Sequence, residues 1–133
     1  LDRIGSQINF LGSVPIKFNF NKDSFVDALK QSGYSNEAST LILWEGVSIY
    51  LEQDAVAAIL DFVGENDKSQ IVFDYIISVT ESNTGDLYGV EQFMQIWEKH
   101  RDGEPFRFSV EEQKIEQLLN QHKLKLIGSM DSK

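Results

Sequence analysis

Residues 40–51 read Thr-Leu-Ile-Leu-Trp-Glu-Gly-Val-Ser-Ile-Tyr-Leu, and this stretch decides the fold. An apolar run stops abruptly at Glu45 and Gly46, and a helical pattern begins soon after. Short apolar runs bounded by turn residues suit strands buried in a parallel sheet. The pattern recurs at 69–75, where Gln70-Ile71-Val72-Phe73 ends at Asp74-Tyr75. Two buried-type strands thus deliver an acid and an aromatic to one edge of a sheet. In open α/β sheets, ligands sit beyond the carboxyl ends of the strands, so a binding site is expected there.

Outward from this stretch, elements alternate. The apolar and polar alternation at Ile16, Lys17, Phe18, Asn19 and Phe20 predicts a strand over 14–20. Asp23 is placed to cap a helix that buries Phe25, Val26 and Leu29, with Gly33 just past its end. Residues 52–63 place Ala55, Val56, Ile59, Leu60 and Val63 on one helical face, and Gly64 suits the position after the last turn. A strand is expected over 70–77, a loop over 78–89, and a helix over 90–100 with Phe93, Met94 and Trp97 inward. A short strand over 105–108 precedes a Ser109–Glu112 capping box, and a helix then buries Ile115, Leu118 and Leu119. Residues 124–127 read as the last strand, and residues 1–10 as the end of a helix, with Gly12 and Pro15 as breakers. The alternation implies an α/β fold, its sheet mostly parallel with helices on both faces.

Composition narrows the function classes. At 133 residues the chain suits a single domain, and one of this size buries roughly two-thirds of its unfolded surface. The net charge of −9, from 21 acids and 12 bases, argues against nucleic acid and anionic membrane surfaces as partners. With no cysteine, a disulfide scaffold and a Cys-ligated zinc site are excluded, which fits a cytoplasmic protein. No apolar run is long enough to span a membrane. The start, Leu1-Asp2-Arg3-Ile4-Gly5, is unlike a signal peptide and lacks an initiator methionine, so the chain is expected to start inside a longer product.

Chemistry is sparse. Gly46-Val47-Ser48 after a strand resembles the Gly-x-Ser-x-Gly elbow of α/β-hydrolases, but position 50 is Tyr where the second glycine belongs. His100 and His122 both lie in charged helical contexts and read as solvated surface residues. No His pair has metal-ligand spacing, and no Gly-rich phosphate cradle is present. Glu45 and Asp74 remain. Either Glu45 caps the following helix, worth about 0.3–1 kcal/mol, and Asp74 accepts hydrogen bonds from a loop, or a carboxylate there accepts from a ribose hydroxyl or an ammonium group. Tyr50 and Tyr75 add ring faces, which attract cations such as a sulfonium.

These residues together resemble the leucine carboxyl methyltransferase family, S-adenosylmethionine-dependent O-methyltransferases with a Rossmann-like class I fold. Residues 40–51 resemble its signature. Asn19-Phe20, Asp23-Ser24-Phe25 and Ser32-Gly33-Tyr34 resemble its third strand, the next helix and the turn after it. Ile71-Val72-Phe73-Asp74-Tyr75 resembles its fifth strand, and Gly103-Glu104-Pro105-Phe106-Arg107-Phe108 its Gly-Glu-Pro-Phe-x-Phe segment. The resemblance runs from about residue 14 to 127. It implies that Asn19 and Phe20 meet the adenine, with Asn in place of the usual Asp. It implies that Glu45 and Gly46 lie beside the methionyl part of the cofactor. Tyr50 falls near the methyl-transfer cleft, and Asp74 and Tyr75 fall where a small-molecule or protein carboxylate or hydroxyl acceptor approaches. The family's Gly-rich turn and ribose-binding acid belong before Leu1. The resemblance therefore implies that the chain is the C-terminal portion of a methyltransferase domain, partnered by the missing N-terminal half. In that topology, 16–20 and 40–44 are not direct neighbours.

Overall fold

The structure is a computed structural model that describes residues 12–20, 22–78 and 106–130. Helix α1 spans Phe25–Gln31, strand β1 Leu41–Trp44, helix α2 Gln53–Gly64, strand β2 Gln70–Phe73 and helix α3 Ile115–Gln121. A single 3-10 turn, Ser48–Tyr50, lies between β1 and α2.

β1, α2 and β2 form the α/β unit that the central stretch predicts. The strands are parallel, in the register Leu41↔Gln70, Ile42↔Ile71, Leu43↔Val72 and Trp44↔Phe73. Parallel strands need a long crossover between them, and α2 supplies it. Four of the five positions given by the spacing of α2 point inward: Val56, Ile59, Leu60 and Val63 are each at most 2% exposed, whereas Ala55 is half-buried and Phe62, outside the spacing, is buried. Fully burying such a side chain contributes about 1.5–3 kcal/mol before entropy is charged against it. Val56, Ile59 and Leu60 form a core with Trp44, Leu51, Phe108, Val110 and Leu119, and Ile42, Ile71 and Phe73 pack onto it.

Only one face of the sheet is covered among the described residues, whereas both are expected to be. On the other face Leu41, Leu43 and Val72 are 59%, 73% and 60% exposed. Parallel sheets are ordinarily covered on both sides, so this face is unusually apolar for one that meets water.

Several boundaries differ from expectation. Residues 14–20 form no strand, and among the described residues no strand lies paired with them; Val14 and Ile16 are 68% and 39% exposed. Because the segment forms no strand, it has no place in the strand order, and the neighbour relation implied for it and β1 does not arise. The strand over 70–77 stops at Phe73, and Ile77 makes only an isolated parallel bridge with Val110. Residues 106–108 and 124–127 are likewise unpaired in a sheet, although Phe108 is buried and Leu124 and Leu126 face the core.

Capping also departs from the sequence reading. Ser24, not Asp23, caps α1, accepting from the Asp27 amide at 3.3 Å. Asp23 instead accepts from the Asn19 amide at 2.7 Å. The end of α1 follows the expected form: the amides of Gly33 and Tyr34 donate back to Lys30 and Leu29, a Schellman pair of bonds. The Ser109–Glu112 capping box does not form. Gln113 takes a left-handed conformation with φ 63, so α3 starts beyond it, after Lys114. Gly64 ends α2 rather than following it. The expectations for 1–10 and 90–100, for His100, and for all but the first residue of 78–89 lie outside the described residues.

Candidate functional site at the carboxyl edge of the parallel strands

The shared register places Glu45 and Asp74 side by side, each following the last residue of its strand. Glu45 is exposed, and Tyr75 is half-buried with its ring 6.0 Å from that of Phe73. The Phe73 ring lies 6.1 Å from that of the buried Trp44. An aromatic row thus runs from the core toward the edge where the acids stand.

Gly46 turns the chain out of β1 with φ 66, a conformation that residues with a Cβ adopt at a cost. Its amide donates to both carboxylate oxygens of Asp74, at 3.0 Å each. The Ser48 hydroxyl donates to the Asp74 backbone carbonyl. Ser48 is fully buried, at 0% exposure. It therefore does not offer an accessible Oγ, as the elbow of a hydrolase does, and the hydrolase alternative loses its nucleophile. His122 is not solvated either: its side chain is 13% exposed, and Nδ1 meets Asp61 Oδ1 at 2.7 Å.

Tyr50 closes the 3-10 turn and lies against Phe106, with ring centroids 5.9 Å apart. The amides of Arg107 and Phe108 both donate to the Ile49 carbonyl, at 2.8 and 3.3 Å. The Arg107 guanidinium pairs with Glu52, the N-cap residue of α2. The 106–108 segment is thus fastened to the turn that carries Tyr50. Sequence reasoning missed Arg107 and Glu52 as partners, since nothing local marks two residues that meet only in the fold.

Asn19 and Phe20 are placed differently from a strand end. The Asn19 carbonyl accepts from the amides of Lys22 and Asp23, at 3.0 and 2.8 Å, so residue 19 opens a turn into α1. The Phe20 ring meets Phe18 edge to face, 4.7 Å away, and packs against the core. Phe18 continues to Phe25 and then Phe62, which links this segment to α1 and α2. Glu45, Gly46, Asp74 and Tyr75 are brought together by the strand register, with Tyr50 on the turn beside them, while Asn19 and Phe20 belong to an aromatic cluster on the α1 side.

The sequence comparison bears on the same stretch. Residues 1–64 match the leucine carboxyl methyltransferase family model. The match, just under half of the chain, shows the resemblance over those residues. It includes Asn19, Phe20, Glu45, Gly46 and Tyr50, ends with the last residue of α2, and stops short of Asp74 and Tyr75. No curated protein and no solved structure matches the chain. Among the described residues, no three His, Cys, Asp or Glu side chains are grouped to hold a metal, and no helix is long and apolar enough to cross a membrane.

Proposed function

We propose that the chain is the C-terminal portion of a cytoplasmic S-adenosylmethionine-dependent O-methyltransferase domain whose cleft lies at the carboxyl edge of β1 and β2. The observation that carries this reading is the placement of Glu45. It follows a strand within the stretch matched by the family, beside a second acid on the adjacent parallel strand. When bound, the cofactor would supply an electrophilic methyl for an acceptor oxygen, its sulfur leaving as the neutral thioether.

The strand-end residues fit the cationic end of such a cofactor. They are acidic and aromatic, and among the described residues nothing lies within 4 Å of where a Cβ on Gly46 would stand. Glu45 would hold the ammonium and sulfonium portion, since carboxylates and ring faces both favour cations. Tyr50 and Tyr75 would flank the acceptor and exclude water. A carboxylate acceptor arrives ionised, so these residues need bind and orient rather than take a proton; a hydroxyl acceptor must lose one. Orientation of this kind lowers the barrier by fixing donor and acceptor in line.

The uncovered face of Leu41, Leu43 and Val72 supports a partner as well. We propose that the N-terminal half implied by the resemblance covers it. A second reading, a binding domain without turnover, is favoured by Asn19, which lies in a turn rather than at a strand end.

Calorimetric titration with S-adenosylmethionine tests the first reading. With the implied N-terminal half restored, the domain is expected to bind, and Glu45→Ala in it to abolish binding. Equal binding by the parent domain and Glu45→Ala would sink the assignment of Glu45. Binding without methyl transfer to any carboxylate or hydroxyl acceptor would favour the second reading.

A further inference from the structure

Asp74 stands where the resemblance places the approaching acceptor, but its carboxylate is already engaged within the chain. Its carboxylate receives the Gly46 amide on both oxygens, and its backbone carbonyl receives the buried Ser48 hydroxyl. One residue at the exit of β2 therefore grips both ends of the turn at the exit of β1. These contacts join positions 28 and 26 residues apart in the chain. The turn they hold includes a left-handed Gly46, a conformation with no strong local preference to keep it in place. Glu45 lies on one side of that turn and Tyr50 on the other.

We infer that Asp74 is a positioning residue, which fixes the Glu45–Gly46 turn by accepting hydrogen bonds and does not act as an acid or base on the acceptor. What it contributes to ligand binding runs through Glu45, and in that respect the inference rests on the function proposed above. A bond to a charged acceptor is stronger than a neutral one, but an amide oxygen still accepts the Gly46 N–H. A carboxylate doing acid–base work has no such substitute, because an amide does not titrate in the range where proteins operate.

The test compares Asp74→Asn with Asp74→Ala in the full chain, labelled with 15N-glycine. Two quantities are read: hydrogen exchange at the Gly46 amide without ligand, and the Kd for S-adenosylmethionine with the N-terminal half restored. In Asp74→Ala, Gly46 exchange is expected to accelerate about tenfold and the Kd to rise about tenfold, the loss of one such bond. In Asp74→Asn both are expected within about threefold of the parent. Unchanged Gly46 exchange in the Ala variant, or an Asn variant as impaired as Ala, overturns the inference. If the parent domain, with its N-terminal half restored, binds no cofactor, the proposed function fails, while Gly46 exchange still decides the role of Asp74. If Asp74→Ala does not fold, Asp74→Leu, of similar size and without an acceptor, takes its place: faster Gly46 exchange than in Asp74→Asn supports the latch, and unchanged exchange overturns it.

Discussion

The backbone carbonyl of His122 lies so close to Gly64 that a Cβ on Gly64 would come within 1.9 Å of its oxygen. The end of α2 and the end of α3 therefore meet backbone to backbone, and the Asp61–His122 contact lies beside this crossing. A backbone atom cannot swing aside as a flexible side chain can. Gly64→Ala should cost about 1–3 kcal/mol in overpacking, against a gain of about 0.5–1 kcal/mol from removing a helical glycine. A net loss is expected in urea denaturation. Equal or greater stability would show that the two ends separate easily.

Burial on one face of the sheet alone makes a paired prediction. Leu60, fully buried, should cost about 2–5 kcal/mol when truncated to Ala. Leu43, 73% exposed, should stay within about 0.5 kcal/mol of the parent when replaced by Lys. Denaturation midpoints of the two variants would show this contrast. A large loss in Leu43→Lys would mean that the face is covered in the folded chain.

The Arg107–Glu52 pair is half open to solvent, with side chains 41% and 57% exposed. A double-mutant cycle with Arg107→Ala and Glu52→Ala should give a coupling of about 0.2–1 kcal/mol, decreasing as salt is added. The backbone bonds to Ile49 remain in both variants, so the segment should stay attached. A coupling well above this range would mean that the pair, rather than the Ile49 carbonyl, holds 106–108 in place.

Ser48 gives a chemical and a thermodynamic outcome together. A serine-directed fluorophosphonate should leave it unlabelled, because its hydroxyl is buried and bonded to Asp74. Ser48→Ala should destabilise the chain by about 1–3 kcal/mol, since the bond lies out of water. Labelling at Ser48, read by peptide mass spectrometry, would reinstate the hydrolase alternative.

What was legible in the chain was what depends on neighbours in sequence. The helical spacing of Val56, Ile59, Leu60 and Val63 defines the buried face of α2, and the stop at Glu45 and Asp74 marks where both strands end. Gly33 closes α1 as its position implied. Strands were over-read wherever alternation had no partner to meet it: residues 14–20 and 124–127 carry the right pattern, but a strand exists only when another backbone completes its hydrogen bonds. The Ser109–Glu112 motif failed for a local reason, the left-handed Gln113 that delays α3.

By itself, then, the sequence determined the β1–α2–β2 unit, the edge at which its acids emerge, and the family resemblance of its first 64 residues. Only the tertiary structure decided that Asp74 binds Gly46 and Ser48, that Ser48 is buried, that His122 meets Asp61, and that among the described residues one sheet face is uncovered. The physical reason is range. Periodicity and turn chemistry act over a few residues, whereas these contacts join positions dozens of residues apart, which only packing brings within a hydrogen bond's reach.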